Sequence, residues 1–524
     1  MIASSSLPQA QSIQAEASRP TLKAWLLTAL VLAVAVLVFV ASDRWFPILD
    51  DEIAIINVAR WPVSETVRLF WFGGGQHEHP PLTDILWHWW LPVGGAAQWS
   101  LRLPSILLYL TGLVLLALTA QKMGGAPAFK ALLVLGLLWP YGFHFARLAA
   151  WYSFCFFLVA TLTLTYLRYI ERPTGLKLAI FVIAALCLVY SNYYGWAVMF
   201  CFAIEAFISG RHKQGGRLML ITFFTLLVAY APIWTAFAKE LLGHPDFSGG
   251  SSLLTKLMTA VYNVNAVFVS ESVAPWFWYF SVPAFACIAT SVLCSATLFS
   301  SAKRWFVYFA LLFAGMAVLG IVRPNRLLFF SAWLLLAFAV ALSNPGKRAA
   351  RNVLIVTLAG ISAIGWTGII ARRYYAAPHF IEPWAEIADK AALAQRQGAL
   401  IIGNNSAFFF DLHYSLQRLG SVPRSALPGW TDYPGVVRVE KWDETPHSNR
   451  SSILFVRGVN NSLIDQTEEV ERWLRSNCVS RSQQPLVPDS GAALKARFYK
   501  GKGQQQPPFR ISVQWFDCSS GSGT

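Results

Sequence analysis

The chain has 524 residues, of which 55% are hydrophobic and 13% are charged, and its mean hydropathy is +0.47. This composition is typical of a multispanning membrane protein and excludes a soluble domain of this length. The net charge of +15 would suit a nucleic-acid-binding protein, but most Lys and Arg residues lie in short clusters between apolar runs, so we expect no nucleic-acid partner.

Apolar runs of nearly 20 residues, the length that crosses a bilayer, recur from residue 24 onward. Eleven are predicted as transmembrane spans: 24–42, 102–120, 131–147, 150–168, 177–192, 194–209, 218–237, 276–299, 305–321, 327–343 and 353–371. The polar residues 1–23 contain no pattern typical of a cleavable signal and are predicted to form a cytoplasmic tail.

The basic residues predict the orientation of these spans. They lie on every second connection: Arg19 and Lys23; Lys122 and Lys130; Arg168, Arg172 and Lys177; Arg211, Lys213 and Arg217; Lys303 and Arg304; Lys347, Arg348 and Arg351. The positive-inside rule therefore places the N-terminus in the cytoplasm, and an odd number of spans places the C-terminus outside. We expect a multi-pass protein of a bacterial inner membrane.

The first outer loop, residues 43–101, contains two acidic motifs. The first, "FPILDDEIAIINVARW", includes Asp50, Asp51 and Glu52, and the second, "WFGGGQHEHPPLTDILWHWWLP", includes Glu78. After Pro81 the apolar spacing predicts an amphipathic helix in the membrane interface, and residues 51–60 predict another. A lone Asp here would simply be solvated, but this cluster would lie at the headgroups, where a lipid-linked substrate would be bound.

Two further segments lie on the outer side in this topology. The loop 238–275 contains "GHPDFSGGSS" and is predicted to be mobile. Residues 372–524 are predicted to form an extracytoplasmic α/β domain, with strands at "GALIIG", "SSILFVRG" and "RISVQWFDC" and an amphipathic helix at "SLIDQTEEVERWLRSNC". If this part is outside the cytoplasm, Cys478 and Cys518 could form a disulfide there.

Several of these motifs resemble the C-type (GT-C fold) membrane glycosyltransferases, in particular glycosyltransferase family 39 and its relatives. The resemblance rests on "DDE" after the first span, "HEHPPL" about 26 residues later, and "LRLPSILLYL" at the second span. "FARLAAWYSF", "YSNYYGWA" and "YYAAPHFIEPWAEIA" extend it. It implies an α-helical polytopic fold of about 11 spans. It also implies transfer of a sugar from a polyprenyl phosphate, usually with inversion, to an extracytoplasmic acceptor.

The resemblance also implies roles for the acids. Asp51 takes the position of the general base and Glu52 follows it, with Asp50 as the alternative base. Glu78 matches the acid before "PPL" in the lipid A aminoarabinose transferases and would orient the acceptor or the sugar. In those enzymes a phosphate-binding Lys follows that acid, whereas this chain has His79.

The leaving phosphate needs cations rather than a strong general acid. Arg102 in "LRLPS" is the first candidate, followed by Arg147 between spans three and four and by Arg323 and Arg326 in "VRPNR". Each could instead extend its guanidinium to lipid headgroups. The donor would be a polyprenyl-phosphate-linked sugar. Which sugar it carries, and whether the acceptor is a glycan, a lipid or a protein, stay open.

Three alternatives accompany this hypothesis. No cofactor is required by the chemistry, although His77, His79, Asp84 and His88 are residue types that bind a divalent metal. A transporter or flippase would place acids within the membrane, where Glu205 is the clearest example, and would often have two repeated halves. A structural or assembly protein would need neither the acid cluster nor the span-end arginines.

Overall fold

The computed structural model describes most of the chain between its termini. The described residues are 22–43, 46–72, 80–95, 97–208, 212–234, 237–238, 253–270, 278–295, 300–319, 322–343, 348–371, 383–423, 433–443, 451–458, 464–486 and 511–518.

The described part up to residue 371 is helical. Its α-helices are α1 (Leu22–Ala41), α2 (Asp50–Val58), α3 (Val63–Phe72), α4 (Leu82–Gly94), α5 (Gln98–Leu138), α6 (Pro140–Ala146), α7 (Trp151–Glu171), α8 (Gly175–Val189), α9 (Gly195–Ile208), α10 (His212–Ala229), α11 (Leu253–Val269), α12 (Trp278–Ser295), α13 (Ser300–Leu319), α14 (Ser331–Leu342) and α15 (Arg348–Ala371). Short 3-10 turns occur at Ala231–Ile233 and Pro324–Leu327.

Three of the described helices, α5, α7 and α15, are long and apolar enough to cross a membrane. Six further apolar helical segments of 10–17 residues accompany them. These helices follow the predicted apolar runs, so the expectation of a mainly helical chain with many apolar helices is confirmed. The count of eleven crossings stays a prediction.

The third predicted span, 131–147, is divided in the structure. The helix α5 continues from the second span through a turn at Gly125, whose φ of 73° favours glycine, and ends at Leu138. Trp139 is extended and Pro140 opens the separate short helix α6. A proline disfavours the helical conformation in the residue before it and is well suited to the first position of a helix, which explains the extended Trp139 and the new start at Pro140.

The centre of the helical part is α14, which packs against α5 and α13. Its residues from Ser331 to Ala341 are all buried. A helix that is apolar on every side is stable only when other helices surround it. Of the described helices, α5 and α7 pack against each other over the most extensive contact.

The first outer loop folds back onto the start of α5. As predicted, helices occupy residues 50–58 and 82–94, and α3 between them is an addition. The indole N–H groups of Trp87 and Trp90 donate to the carbonyls of Leu101 and Ser100 at 3.0 and 2.8 Å. These bonds fix α4 to α5, and α2, which carries the acids, packs against α4.

The second predicted outer loop differs from the expectation in its described part. Residues 253–269 form the helix α11, which packs against α6, α12 and α15. Its apolar residues recur at helical spacing, and their packing against these neighbouring helices stabilises α11. The stretch "GHPDFSGGSS" itself lies outside the described residues.

The C-terminal part contains a five-stranded mixed sheet. Its strands are β1 (Leu400–Gly403), β2 (Val436–Arg438), β3 (Ser452–Arg457), β4 (Val479–Leu486) and β5 (Ile511–Asp517), in the order β2-β1-β3-β5-β4. β2 and β3 flank β1 in parallel, and β5 is antiparallel to both β3 and β4. Three α-helices accompany the sheet: α16 (Trp384–Arg396), α17 (Ser406–Arg418) and α18 (Ile464–Asn477).

Two apolar layers cover the two faces of this sheet. One face packs on α16 and α17, and the other packs on α18. The predicted strands β1, β3 and β5 and the predicted helix α18 are all present, and Cys478 and Cys518 form a disulfide. The strand β4, "VSRSQQPL", has no apolar alternation because it pairs on one side only, as the edge of the sheet.

The helix α17 connects the sheet to the membrane helices. Phe408, Phe409 and Leu412 pack in the layer over the sheet. Phe410 and Tyr414, four residues apart, pack in the core of the helical part instead. The C-terminal part therefore rests on the first outer loop, with α17 in contact with α2.

Candidate active site

A buried ionic cluster fixes the beginning of the first outer loop. Arg102, in the second turn of α5, donates from Nε and Nη2 to the two oxygens of Glu52 at 2.8 and 2.7 Å. Its Nη1 donates to Asp43 Oδ1 at 2.5 Å. The carbonyls of Phe46 and Pro47 accept further hydrogen bonds, at 3.3 and 2.8 Å. All five guanidinium hydrogens thus have partners within the protein.

Glu52 is held from both sides. Besides Arg102, the backbone N–H groups of Leu49 and Ala149 donate to its two oxygens at 3.1 and 2.9 Å. The contact with Leu49 also closes the first turn of α2. The side chain is only 1% exposed. This geometry gives Glu52 a positioning role, since its carboxylate joins α2 to α5 and to the segment before α7.

A second guanidinium lies beside this cluster. Arg147 is in the predicted turn, between α6 and α7, and is buried. Its guanidinium carbon lies 3.0 Å from the centre of the Phe46 ring, a cation–π contact. Its charge also acts on Asp43. Two guanidinium groups therefore accompany the two carboxylates of Asp43 and Glu52.

Asp51 lies on the other side of α2 and is exposed. Its Oδ2 accepts a short hydrogen bond from the hydroxyl of Tyr152 and a longer one, 3.3 Å, from Nδ2 of Asn325. Asn325 also donates to the Tyr152 hydroxyl at 2.9 Å. Among the described residues no partner occupies Oδ1 of Asp51. A carboxylate oriented through one oxygen and open at the other can accept a proton from a bound hydroxyl.

The arginines of "VRPNR" belong to the same locality. Asn325 stands between them on the 3-10 turn Pro324–Leu327, which the Tyr141 hydroxyl holds by donating to the carbonyl of Pro324. Arg323 is exposed, whereas Arg326 is buried and donates from Nη1 to the Tyr194 hydroxyl at 2.8 Å. The turn therefore brings two positive charges to the neighbourhood of Asp51.

Three predicted site residues are described only in part or not at all. Asp50 begins α2, and its side chain lies outside the described residues. Glu78 and His79 fall in the segment 73–79, which also lies outside them. Their predicted roles stay predictions.

The residues of the metal alternative are described only in part. No group of three His, Cys, Asp or Glu side chains placed to hold a metal ion occurs there. His88 Nδ1 lies 2.8 Å from the carbonyl of Ala59, so this nitrogen ties α4 to α2. Burial raises the pKa of Asp84 to about 7. His77 and His79 lie outside the described residues.

Comparison with known proteins gives a structural match only. No family model matches the chain, and the comparison with curated proteins found no match. The structure of ArnT from Cupriavidus metallidurans bound to undecaprenyl phosphate matches with a TM-score of 0.50 and 13% identity, over 94% of this chain and 98% of that one. The chain has the GT-C fold.

Two further structures match with lower TM-scores. The arabinofuranosyltransferase AftD from mycobacteria is 16% identical over 95% of this chain and 40% of its own, with a TM-score of 0.45. The archaeal oligosaccharyltransferase AglB from Archaeoglobus fulgidus, in complex with an inhibitory peptide and a dolichol-phosphate, is 12% identical over 96% and 75%, with a TM-score of 0.43. At these identities a match establishes the fold alone, and the fold assignment is based on the ArnT structure.

Within the GT-C fold, the structure adds residues that the sequence motifs did not predict. No motif marks Asn325 as a partner of Asp51 and Tyr152, or Asp43 as a partner of Arg102. The sequence also does not distinguish Tyr152 and Tyr194 from the other aromatic residues near the span ends. The one available signal was the clustering of polar residues in "VRPNR" at the end of an apolar run.

Proposed function

We propose that this chain is an integral membrane glycosyltransferase that transfers a sugar from a polyprenyl-phosphate donor. The acceptor is an envelope glycan, a glycolipid or a protein on the extracytoplasmic face. The observation that carries the proposal is the exposed carboxylate of Asp51, oriented by Tyr152 and Asn325 beside Arg323 and Arg326. The undecaprenyl phosphate in the ArnT structure supports a lipid phosphate as the donor carrier.

The proposed reaction is a single displacement. The acceptor hydroxyl oxygen attacks the anomeric carbon, and the bond between that carbon and the phosphate oxygen breaks. The bonding electrons go to the phosphate, and the hydroxyl proton goes to Oδ1 of Asp51. Attack from the side opposite to the leaving phosphate inverts the anomeric configuration.

The polar neighbours of Asp51 supply the remaining functions in this mechanism. Hydrogen bonds from Tyr152 and Asn325 keep the carboxylate in one orientation, which favours proton transfer from a bound hydroxyl. The charges of Arg323 and Arg326 stabilise the phosphate that leaves. We assign Arg102 and Glu52 to the support of α2 rather than to contact with the donor, because their hydrogen bonds are internal.

The proposed topology is that of the sequence hypothesis. Residues 24–371 would form the transmembrane part with eleven spans, and residues 372–524 would form the extracytoplasmic domain. The disulfide between Cys478 and Cys518 supports an oxidising compartment for that domain. Its contact with α2 through α17 is consistent with a domain on the same side as the first outer loop.

The transporter alternative gains no support from Glu205. This buried carboxylate accepts a hydrogen bond from Tyr308 at 2.8 Å and forms an ion pair with Arg304 at 3.1 Å. Both partners belong to α13, close to the predicted cytoplasmic basic cluster. The contacts explain Glu205 as a link between α9 and α13.

The test compares Asp51→Asn with a matched variant, Glu65→Gln. Glu65 is an acid of the same outer loop, partly exposed on α3, and its one ion pair within the described residues is with Arg68. Membranes that contain equal amounts of each protein are supplied with extracted polyprenyl-phosphate sugars and with envelope fractions. Transfer by the wild type and by Glu65→Gln, with none by Asp51→Asn, supports the proposal and identifies sugar and acceptor. Equal transfer by all three proteins would refute Asp51 as the base.

A further inference from the structure

A cavity of about 710 Å³ lies apart from Asp51, where three elements meet. The end of α1 contributes Val40 and Ala41, the start of α5 contributes Trp99, and α17 contributes Tyr414. Asp43 also lines it, so the buried cluster of Asp43, Arg102 and Glu52 stands between this cavity and the proposed active site. The proposed reaction makes no use of the space.

The apolar wall of the cavity continues along α1. Ala41, Leu37, Val34 and Leu30 are spaced by four, three and four residues, so they lie on one face of the helix. Leu37, Val34 and Leu30 are 68%, 51% and 61% exposed. From residue 30 to residue 41 this stripe is about 16 Å long, roughly half the thickness of the hydrocarbon core. It is therefore the length of one lipid leaflet.

The position of the cavity matches the depth of the headgroups. In the proposed topology the end of α1 and the start of α5 both lie at the outer membrane interface. Trp99, in the first turn of α5, is 49% exposed, as is common for tryptophan in an interfacial belt. Acyl chain and headgroup would thus meet at the cavity.

The α17 side of the cavity is polar. Tyr414 is only 6% exposed, and its hydroxyl has no hydrogen-bond partner among the described residues. A buried hydroxyl is rarely left in this state unless a ligand or water completes it. Arg418, one turn further, also lines the cavity, and its pairing with Asp389 is exposed on both sides. Such a surface pair is weak, so a phosphate competes well for the guanidinium.

We propose that this cavity binds one glycerophospholipid of the bilayer. One acyl chain lies along the stripe from Ala41 to Leu30, and the ester or phosphate oxygens accept hydrogen bonds from Tyr414 and Arg418. The lipid would fasten α17 to the membrane, and α17 in turn packs against α2, which carries Asp51. The proposal rests on the membrane location of the chain and does not depend on the transfer reaction.

The test measures phospholipid that is retained by the purified full-length protein after washing that removes loosely bound lipid. Ala41→Trp fills the cavity, and Tyr414→Phe removes only the hydroxyl. The matched control is Leu220→Trp, which places the same bulk on α10 at a position that is 73% exposed. Thermal unfolding of each variant verifies that it is folded.

The wild type and Leu220→Trp are expected to retain one phospholipid per chain. Ala41→Trp should lose it, and Tyr414→Phe should retain it at several-fold lower occupancy. In the wild type, a photoactivatable phospholipid should label peptides from the end of α1 and from α17. Equal retention by Ala41→Trp and Leu220→Trp would overturn the proposal, as would recovery of polyprenyl phosphate or a glycolipid in place of the phospholipid. Because bound lipid is the readout, these outcomes are independent of the Asp51→Asn result.

Discussion

Glu52 and Asp51 are adjacent in the sequence, and the structure predicts opposite consequences for their amide variants. The Glu52 carboxylate accepts four hydrogen bonds, two from Arg102 and one each from the N–H groups of Leu49 and Ala149. Both of its oxygens face donors. In Glu52→Gln one oxygen becomes an NH2 group that opposes two of those donors, and the negative charge is lost.

The size of this effect follows from the burial of the pair. Breaking a buried salt bridge by removing one partner typically costs about 3–5 kcal/mol. We expect Glu52→Gln to lower the free energy of unfolding by that order. Asp51→Asn changes an exposed side chain, for which an effect of about 0.5 kcal/mol is usual. The two variants should therefore separate a loss of stability from a loss of transfer.

The assay is thermal unfolding of the purified protein in detergent, measured together with transfer activity. Glu52→Gln should unfold at a clearly lower temperature, whereas Asp51→Asn should unfold with the wild type and be inactive. The double variant Glu52→Gln with Arg102→Met should be less destabilised than the sum of the single variants, because both disrupt one interaction. Wild-type stability of Glu52→Gln combined with lost transfer would refute this reasoning and would return Glu52 to the reacting groups.

Three further predictions test other parts of the structure. Tyr152→Phe removes one hydrogen bond to the Asp51 carboxylate, so kcat should fall by between about tenfold and a hundredfold at unchanged unfolding temperature. An unchanged kcat would contradict the orienting role. Burial raises the pKa of Asp411 to about 7, so the folded chain holds this proton more tightly than the unfolded chain. Stability should therefore decrease as pH rises from about 4 to about 7, and Asp411→Asn should reduce that decrease in unfolding scans across this range. Cys478→Ser should cost about 2–4 kcal/mol by opening the loop to Cys518. In the wild type a thiol reagent should label these two cysteines only after reduction, and labelling beforehand would contradict the disulfide.

Much of the architecture follows from patterns local in the sequence. Apolar runs predict helices because each residue of a spanning helix meets lipid or other helices, so hydropathy alone marks α7 or α15. Alternation and length predict β1, β3 and β5 because their side chains fill the two apolar layers of the sheet. The same signals are weak for the edge strand β4.

The interactions of the site depend on the tertiary structure. Asp51 meets Tyr152 and Asn325 across 101 and 274 residues of chain, and Glu52 meets Arg102 across 50. The sequence by itself determined that an acid cluster follows the first apolar run and that arginines stand at later span ends. Which acid is buried depends on the face of α2 that packs against α5, because neighbouring residues on a helix point about 100° apart. Only the packing of distant elements decided that Glu52 is buried in contact with Arg102 and that Asp51 is exposed.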